Sequence, residues 1–142
     1  MRYDRMYSLL WIYTAVLALF GLLLDSPAQI LQGLTTIILT EDALITDYVK
    51  IAGVSAALVN SALVTLVSLL LLYLSKEPPN GFTLVELGLM AGFSLFGKNI
   101  VNIWAIMAGV VLYAKYHGTS LNLYLYVGLY GTSLSPIMTQ MM

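Results

Sequence analysis

Residues 82–114 read FTLVELGLMAGFSLF GKN IVNIWAIMAGVVLYA, two apolar runs of 15 residues, Phe82–Phe96 and Ile100–Ala114, meeting at Gly97-Lys98-Asn99. A straight membrane-spanning helix needs about 20 apolar residues. Each run is therefore short for a crossing, and a lysine and an asparagine sit at their junction, with Asn102 one turn further on. Paired, interrupted apolar segments point to a binding site in transporters. An exposed turn between two short helices produces the same pattern, so the fold depends on which of the two holds.

Working outward, composition supports a membrane protein. Hydrophobic residues make up 60% of the 142 residues and charged residues 9%, where a soluble domain has about 25% charged. Mean hydropathy is +0.89. The net charge of -1 and the scarcity of basic residues give no reason to expect nucleic acid. The absence of cysteine excludes disulfides, thiolate metal sites and cysteine nucleophiles, and the single histidine, His117, forms no histidine cluster. No phosphate-binding glycine loop or dinucleotide fingerprint is present, so neither a metal nor a cofactor is expected.

The run Met6–Leu24 follows Arg2 and Arg5. At 19 residues it exceeds the h-region of a secretory signal and reads as a retained first span. Ser26-Pro27 is an N-cap and first-turn pair that predicts a helix over Pro27–Leu39. That helix is too short to cross and lies at the interface or dips in. Glu41, Asp42 and Asp47 make an acidic loop, and Thr46 or Asp47 caps the next helix. A second span is predicted over Val49–Leu74. Gly53, Ala57, Ser61 and Thr65 recur every four residues beside Asn60, a face suited to close helix packing, while the leucine-rich half, Leu66–Leu74, reads as lipid-facing. Lys76–Gly81 is the clearest turn. A last apolar segment, Leu121–Ile137, is interrupted at Gly131–Pro136. The distribution of Arg2, Arg5, Lys76 and Lys115 predicts a cytoplasmic N-terminus.

The junction supplies the strongest site candidates. A helix starting near Asn99 would present free N–H groups and a positive dipole end, and Lys98 beside it favours an anion or carboxylate. Asn99 and Asn102 share a face, and Asn60 from the second span can join them. An N-capping asparagine and a solvated lysine are the plain alternative. Glu86 is a carboxylate within an apolar helix, a candidate for proton or ion coupling. It lies 12 residues from Lys98, about 18 Å along a straight helix, so the two meet only if the helix breaks or another copy supplies the partner. Gly88, Ala91, Gly92 and Gly97 read as a close-packing surface. The tryptophans and tyrosines read as interface anchors. No pair of residues has the spacing of a nucleophile and its base, which leaves an enzyme the least supported class.

Asp25-Ser26-Pro27, Ile45-Thr46-Asp47-Tyr48, Ala56–Asn60 and above all Phe96-Gly97-Lys98-Asn99-Ile100-Val101-Asn102-Ile103-Trp104 resemble a family of bacterial multipass membrane proteins, domain of unknown function 1576. Gly131-Thr132 with Pro136 is similar to the segment that follows in that family. The resemblance implies a longer protein of which this chain is an N-terminal portion or half. Ala105 departs from the proline that the family pattern carries after the tryptophan. The family has no assigned activity, so the resemblance implies no function.

The sequence thus predicts an all-α polytopic membrane protein, a single helical domain over 1–142 with about five membrane segments, in the cell inner membrane. Its expected function is part of a transporter or channel for a small polar or anionic solute, lined by Lys98, Asn99, Asn102 and Asn60. The alternative is a non-transporting scaffold or partner subunit that packs through the Gly53–Thr65 face. Expected partners are the lipid bilayer, the solute, and the second half of the protein or another membrane subunit.

Overall fold

The computed structural model describes residues 2–43 and 45–141, with the side chains of all but 2–4, 138 and 140. The Arg2 charge used in the orientation argument therefore lies outside the described side chains. All the named elements are helical: α1 (Arg2–Leu24), α2 (Pro27–Leu39), α3 (Tyr48–Ala52), α4 (Val54–Leu74), α5 (Gly81–Phe93), α6 (Ile103–Tyr116), α7 (Leu125–Gly131) and α8 (Ser135–Gln140), with short 3-10 turns at Leu121–Tyr124 and Thr132–Leu134. Among the described residues two helices are long and apolar enough to cross a membrane, Arg5–Leu24 and Val54–Leu74, with mean hydropathy 2.0 and 2.2. Three shorter apolar helices, α2, α5 and α6, accompany them.

Local chemistry explains the boundaries. Ser26 caps α2 reciprocally with Gln29, and Pro27 opens the helix. Asp47 caps α3 through the Lys50 N–H. The predicted single span Val49–Leu74 is divided at Gly53, whose φ of +87 is incompatible with a continuing helix. In the terminal segment the chain departs from α-geometry at Thr132–Leu134, where Gly131–Pro136 predicts an interruption.

α4 is the central element. α1 runs antiparallel to it: the Tyr7 and Tyr73 rings lie 5.2 Å apart edge-to-face, and at the other end Ser55 Oγ donates to Gly21 O at 2.5 Å. Glycines set the close approaches. A Cβ on Gly21 would sit 2.8 Å from Val59 Cγ2, and one on Gly33 of α2 would strike Ala56 Cβ. Gly88 and Gly92, expected to mediate such packing, have nothing within 4 Å of a built Cβ. They open surface rather than close it. The leucine-rich half of α4 is also not uniformly lipid-facing. Leu69 and Leu72 are fully buried in a core with Tyr7 and Leu10 of α1, Leu87 and Met90 of α5, and Leu125 and Leu129 of α7. A helix apolar on every side carries no pattern that says which face will be covered.

α5 descends antiparallel to α4, with Ser61 Oγ donating to Ala91 O at 2.7 Å. After the break at residues 94–102, α6 returns toward the end from which α5 came. There Asn122 Nδ2 donates to Ser75 O at 2.8 Å, just beyond α4. α5 and α6 thus form a hairpin whose arms both start at the C-terminal end of α4 and whose tip reaches the level of Asn60, about 9 Å short of the first residue of α4. α7 packs between the arms. The Thr83 and Tyr126 hydroxyls meet at 2.8 Å near the open end, and Pro136 lies against Gly97 at the tip.

Candidate functional site at the hairpin tip

The break begins where α5 ends at Phe93. Gly97 takes φ +91, and the Lys98 N–H returns to Phe93 O at 3.3 Å, reversing the chain. A Cβ at Gly97 would sit 2.9 Å from Pro136 Cγ and 3.2 Å from Ala43 O, so this turn needs glycine for both its conformation and its neighbours. Residues 94–102 leave backbone groups without helical partners, and side chains satisfy them. Asn60 Nδ2 donates to Ser94 O at 2.8 Å and Lys98 O at 2.9 Å, while its Oδ1 accepts from the Ile100 N–H at 3.3 Å. Asn99 Oδ1 accepts from the Val101 and Asn102 N–H groups, both at 2.9 Å. Asn102 Oδ1 accepts from the Asn99 N–H at 2.9 Å, and its Nδ2 donates to Gly97 O at 2.8 Å. Helix α6 accordingly starts at Ile103 and not near Asn99, because Asn99 caps a preceding turn.

Lys98, Asn99, Asn102 and Asn60 are therefore brought together, but in different roles. The three amides are hydrogen-bonded to the chain itself, and Asn60 and Asn99 are buried. Their remaining donors meet two residues that sequence reasoning missed. Asp42, from the α2–α3 loop, accepts from Tyr48 OH at 2.8 Å on Oδ1 and from Asn99 Nδ2 at 3.3 Å and Asn102 Nδ2 at 3.2 Å on Oδ2. Asp42 and Tyr48 have no exposed surface. Burial raises the Asp42 carboxyl above its ordinary pKa, against the lowering effect of the Tyr48 and Asn102 hydrogen bonds. The sequence marks Asp42 only as one of three acids in a loop, and the local hint to its role is a tyrosine six residues on.

Lys98 differs from the asparagines. Its side chain is fully buried and folds back along α5, placing Nζ 3.0 Å from Met90 Sδ and 5.8 Å from the Phe93 ring centre. It makes no direct ion pair among the described residues. Glu86, one turn before Met90, is close enough to interact with it electrostatically. The reversal at Gly97 brings together two charges that a straight helix would hold about 18 Å apart. Glu86 is 5% exposed, and its Oε1 has no hydrogen-bond partner among the described residues. Thr132 Oγ1 shares the Met90 sulfur at 3.7 Å, and the hydroxyls of Ser133 and Ser135 are buried without partners among the described residues. A polar seam thus runs through an apolar interior from Glu86 past Lys98 toward Ser135. No group of three potential metal ligands exists among the described residues.

A family model described as "Protein of unknown function (DUF1576)" matches residues 26–142. The chain belongs to the DUF1576 family. The DUF1576 match begins at Ser26, after α1, and contains the whole hairpin, the Asp42 loop and the polar seam. No curated protein and no solved structure matches the chain.

The face of α4 proposed for a partner subunit is occupied within this DUF1576 chain. Ala57, Ser61 and Thr65 are at most 1% exposed, and the Ser61 hydroxyl is bound to the α5 backbone. Of the four positions only Gly53 remains exposed.

Proposed function

We propose that the chain is part of a multipass bacterial transporter or channel for a small polar or anionic solute, and that Lys98 is the charge that recognises it. The observation behind this reading is the fully buried Lys98 ammonium, held by the Met90 sulfur and the Phe93 ring without a directly paired carboxylate. A buried charge lacking a close partner is strongly destabilising. In membranes, ionisable residues retained at that cost mark substrate and ion pathways. An anion beside the Lys98 ammonium would supply the direct countercharge that Glu86 provides only from a distance. Asn60, Asn99 and Asn102 hold the broken backbone in place around it. Glu86, at the other end of the seam, is the candidate for proton or ion coupling, and the mechanism is binding without covalent chemistry.

In this reading the α5–α6 hairpin is re-entrant and opens to the cytoplasm, as does the N-terminus. With α1, α2, α4 and the α7–α8 segment it makes about five membrane segments in the inner membrane. Irregular backbone survives at membrane depth where protein surrounds it, and the Asn60 and Asp42 hydrogen bonds provide that surrounding. The rest of the protein or another subunit would complete the pathway.

The test is electrical. The whole protein, reconstituted in liposomes on a solid-supported membrane, is challenged with concentration jumps of chloride, phosphate, sulfate, acetate and a dicarboxylate. A transient current for at least one anion, abolished in Lys98→Met, supports the proposal. A folded wild-type protein that gives no current with any of them overturns it.

A further inference from the structure

α1 and α5 both pack on α4 but make no extensive contact with each other. Between them runs a groove made of two adjoining hollows of about 740 and 420 Å³ that share Leu9 and Leu84. The buried side chains of Leu10 and Leu87 lie along it, and Gly88 opens it further, since a Cβ there would touch nothing within 4 Å. At its mouth, beside the Pro78–Gly81 turn, stands Arg5. Arg5 lies in the first turn of α1, immediately before the apolar run Met6–Leu24, which sets it at the edge of the apolar layer. Its side chain is exposed and has no ionic partner among the described residues. From Arg5 to the level of Tyr13 the groove follows α1 for about 12 Å.

We propose that this groove is a binding site for an anionic phospholipid, with the phosphate against Arg5 and one acyl chain lying along Leu9, Leu84 and Gly88. An apolar trough parallel to the helix axes has the shape of an acyl chain, and a cation at its interfacial end selects the charge of the headgroup. Basic positions between membrane helices recognise anionic headgroups in this way. The site is separate from the hairpin tip and does not depend on the transport reading.

The experiment is native mass spectrometry of the whole protein, delipidated in detergent and then given equimolar phosphatidylglycerol and phosphatidylcholine with identical acyl chains. The expected result is retention of phosphatidylglycerol about fivefold over phosphatidylcholine, the preference that one interfacial cation confers. Arg5→Ala should bring the ratio close to one while leaving total retained lipid similar. Gly88→Leu, which fills the trough from an unobstructed position, should lose both lipids while the protein stays folded. Equal retention of the two lipids by wild type would overturn the proposal, as would a Gly88→Leu protein that keeps its lipid. Displacement of the lipid by free glycerol phosphate would overturn the acyl-chain assignment. A dimer that Gly88→Leu dissociates without changing lipid retention would assign the groove to a protein helix instead.

Discussion

Asn60 and Lys98, 38 residues apart, are joined by a 2.9 Å hydrogen bond from the Asn60 amide to the Lys98 carbonyl, and this contact fixes the tip of the hairpin against α4. The same amide group also holds Ser94 O and the Ile100 N–H. One side chain therefore satisfies three backbone groups of a segment that has no helix to satisfy them.

Asn60→Leu should consequently destabilise the protein by about 3 kcal/mol, the cost of orphaning several buried backbone groups. Thermal unfolding in detergent, followed by tryptophan fluorescence, reads this as a lowered Tm. An unchanged Tm would mean that the break does not need this clamp.

Gly97→Ala should cost about 2 kcal/mol, because it forces a side chain into the left-handed region and against Pro136 and Ala43. Gly109 in α6 is the internal control. Its built Cβ meets nothing within 4 Å, so Gly109→Ala should be neutral or stabilise by about 0.5–1 kcal/mol through helix propensity. Equal Tm shifts of the two variants would contradict the tight packing of the turn.

Lys98→Met separates stability from function. Lys98 makes no direct ion pair among the described residues, so an apolar side chain of similar length removes the desolvation cost of its buried ammonium. The variant should melt at or above the wild-type temperature while losing any anion-dependent current. A large drop in Tm would show that Lys98 is a structural group of the tip.

The hairpin predicts an accessibility pattern that the absence of native cysteine makes simple to read. Single cysteines at Lys76 and His117, both exposed and at the open end, should react with a membrane-impermeant thiol reagent from the same side. A cysteine at the exposed Glu41 should react from the opposite side. Asp42 is buried, so a cysteine there should react slowly despite its place in a loop. Labelling of Lys76 and His117 from opposite sides would rule out a hairpin that opens at one end.

By itself the sequence determined the features that depend on near neighbours. Ser26-Pro27 marks the start of α2, Asp47 caps α3, and Gly97-Lys98-Asn99 interrupts two apolar runs. Each of these is written within a few residues, because capping and backbone freedom act over one turn. Composition likewise identified an all-α chain with helices apolar enough to span a membrane. Tertiary structure decided the rest. The burial of Asp42 against Asn99 and Asn102 joins positions 57 and 60 residues apart, and nothing in the loop distinguishes it from the solvated Glu41. The covering of Leu69 and Leu72 was hidden because a uniformly apolar helix does not announce which face another helix will take. Whether three asparagines would be open to a ligand or committed to the chain depended on which backbone groups the reversal at Gly97 left unpaired. Hydrogen-bond satisfaction inside an apolar protein is a property of the assembled interior, and no single segment contains it.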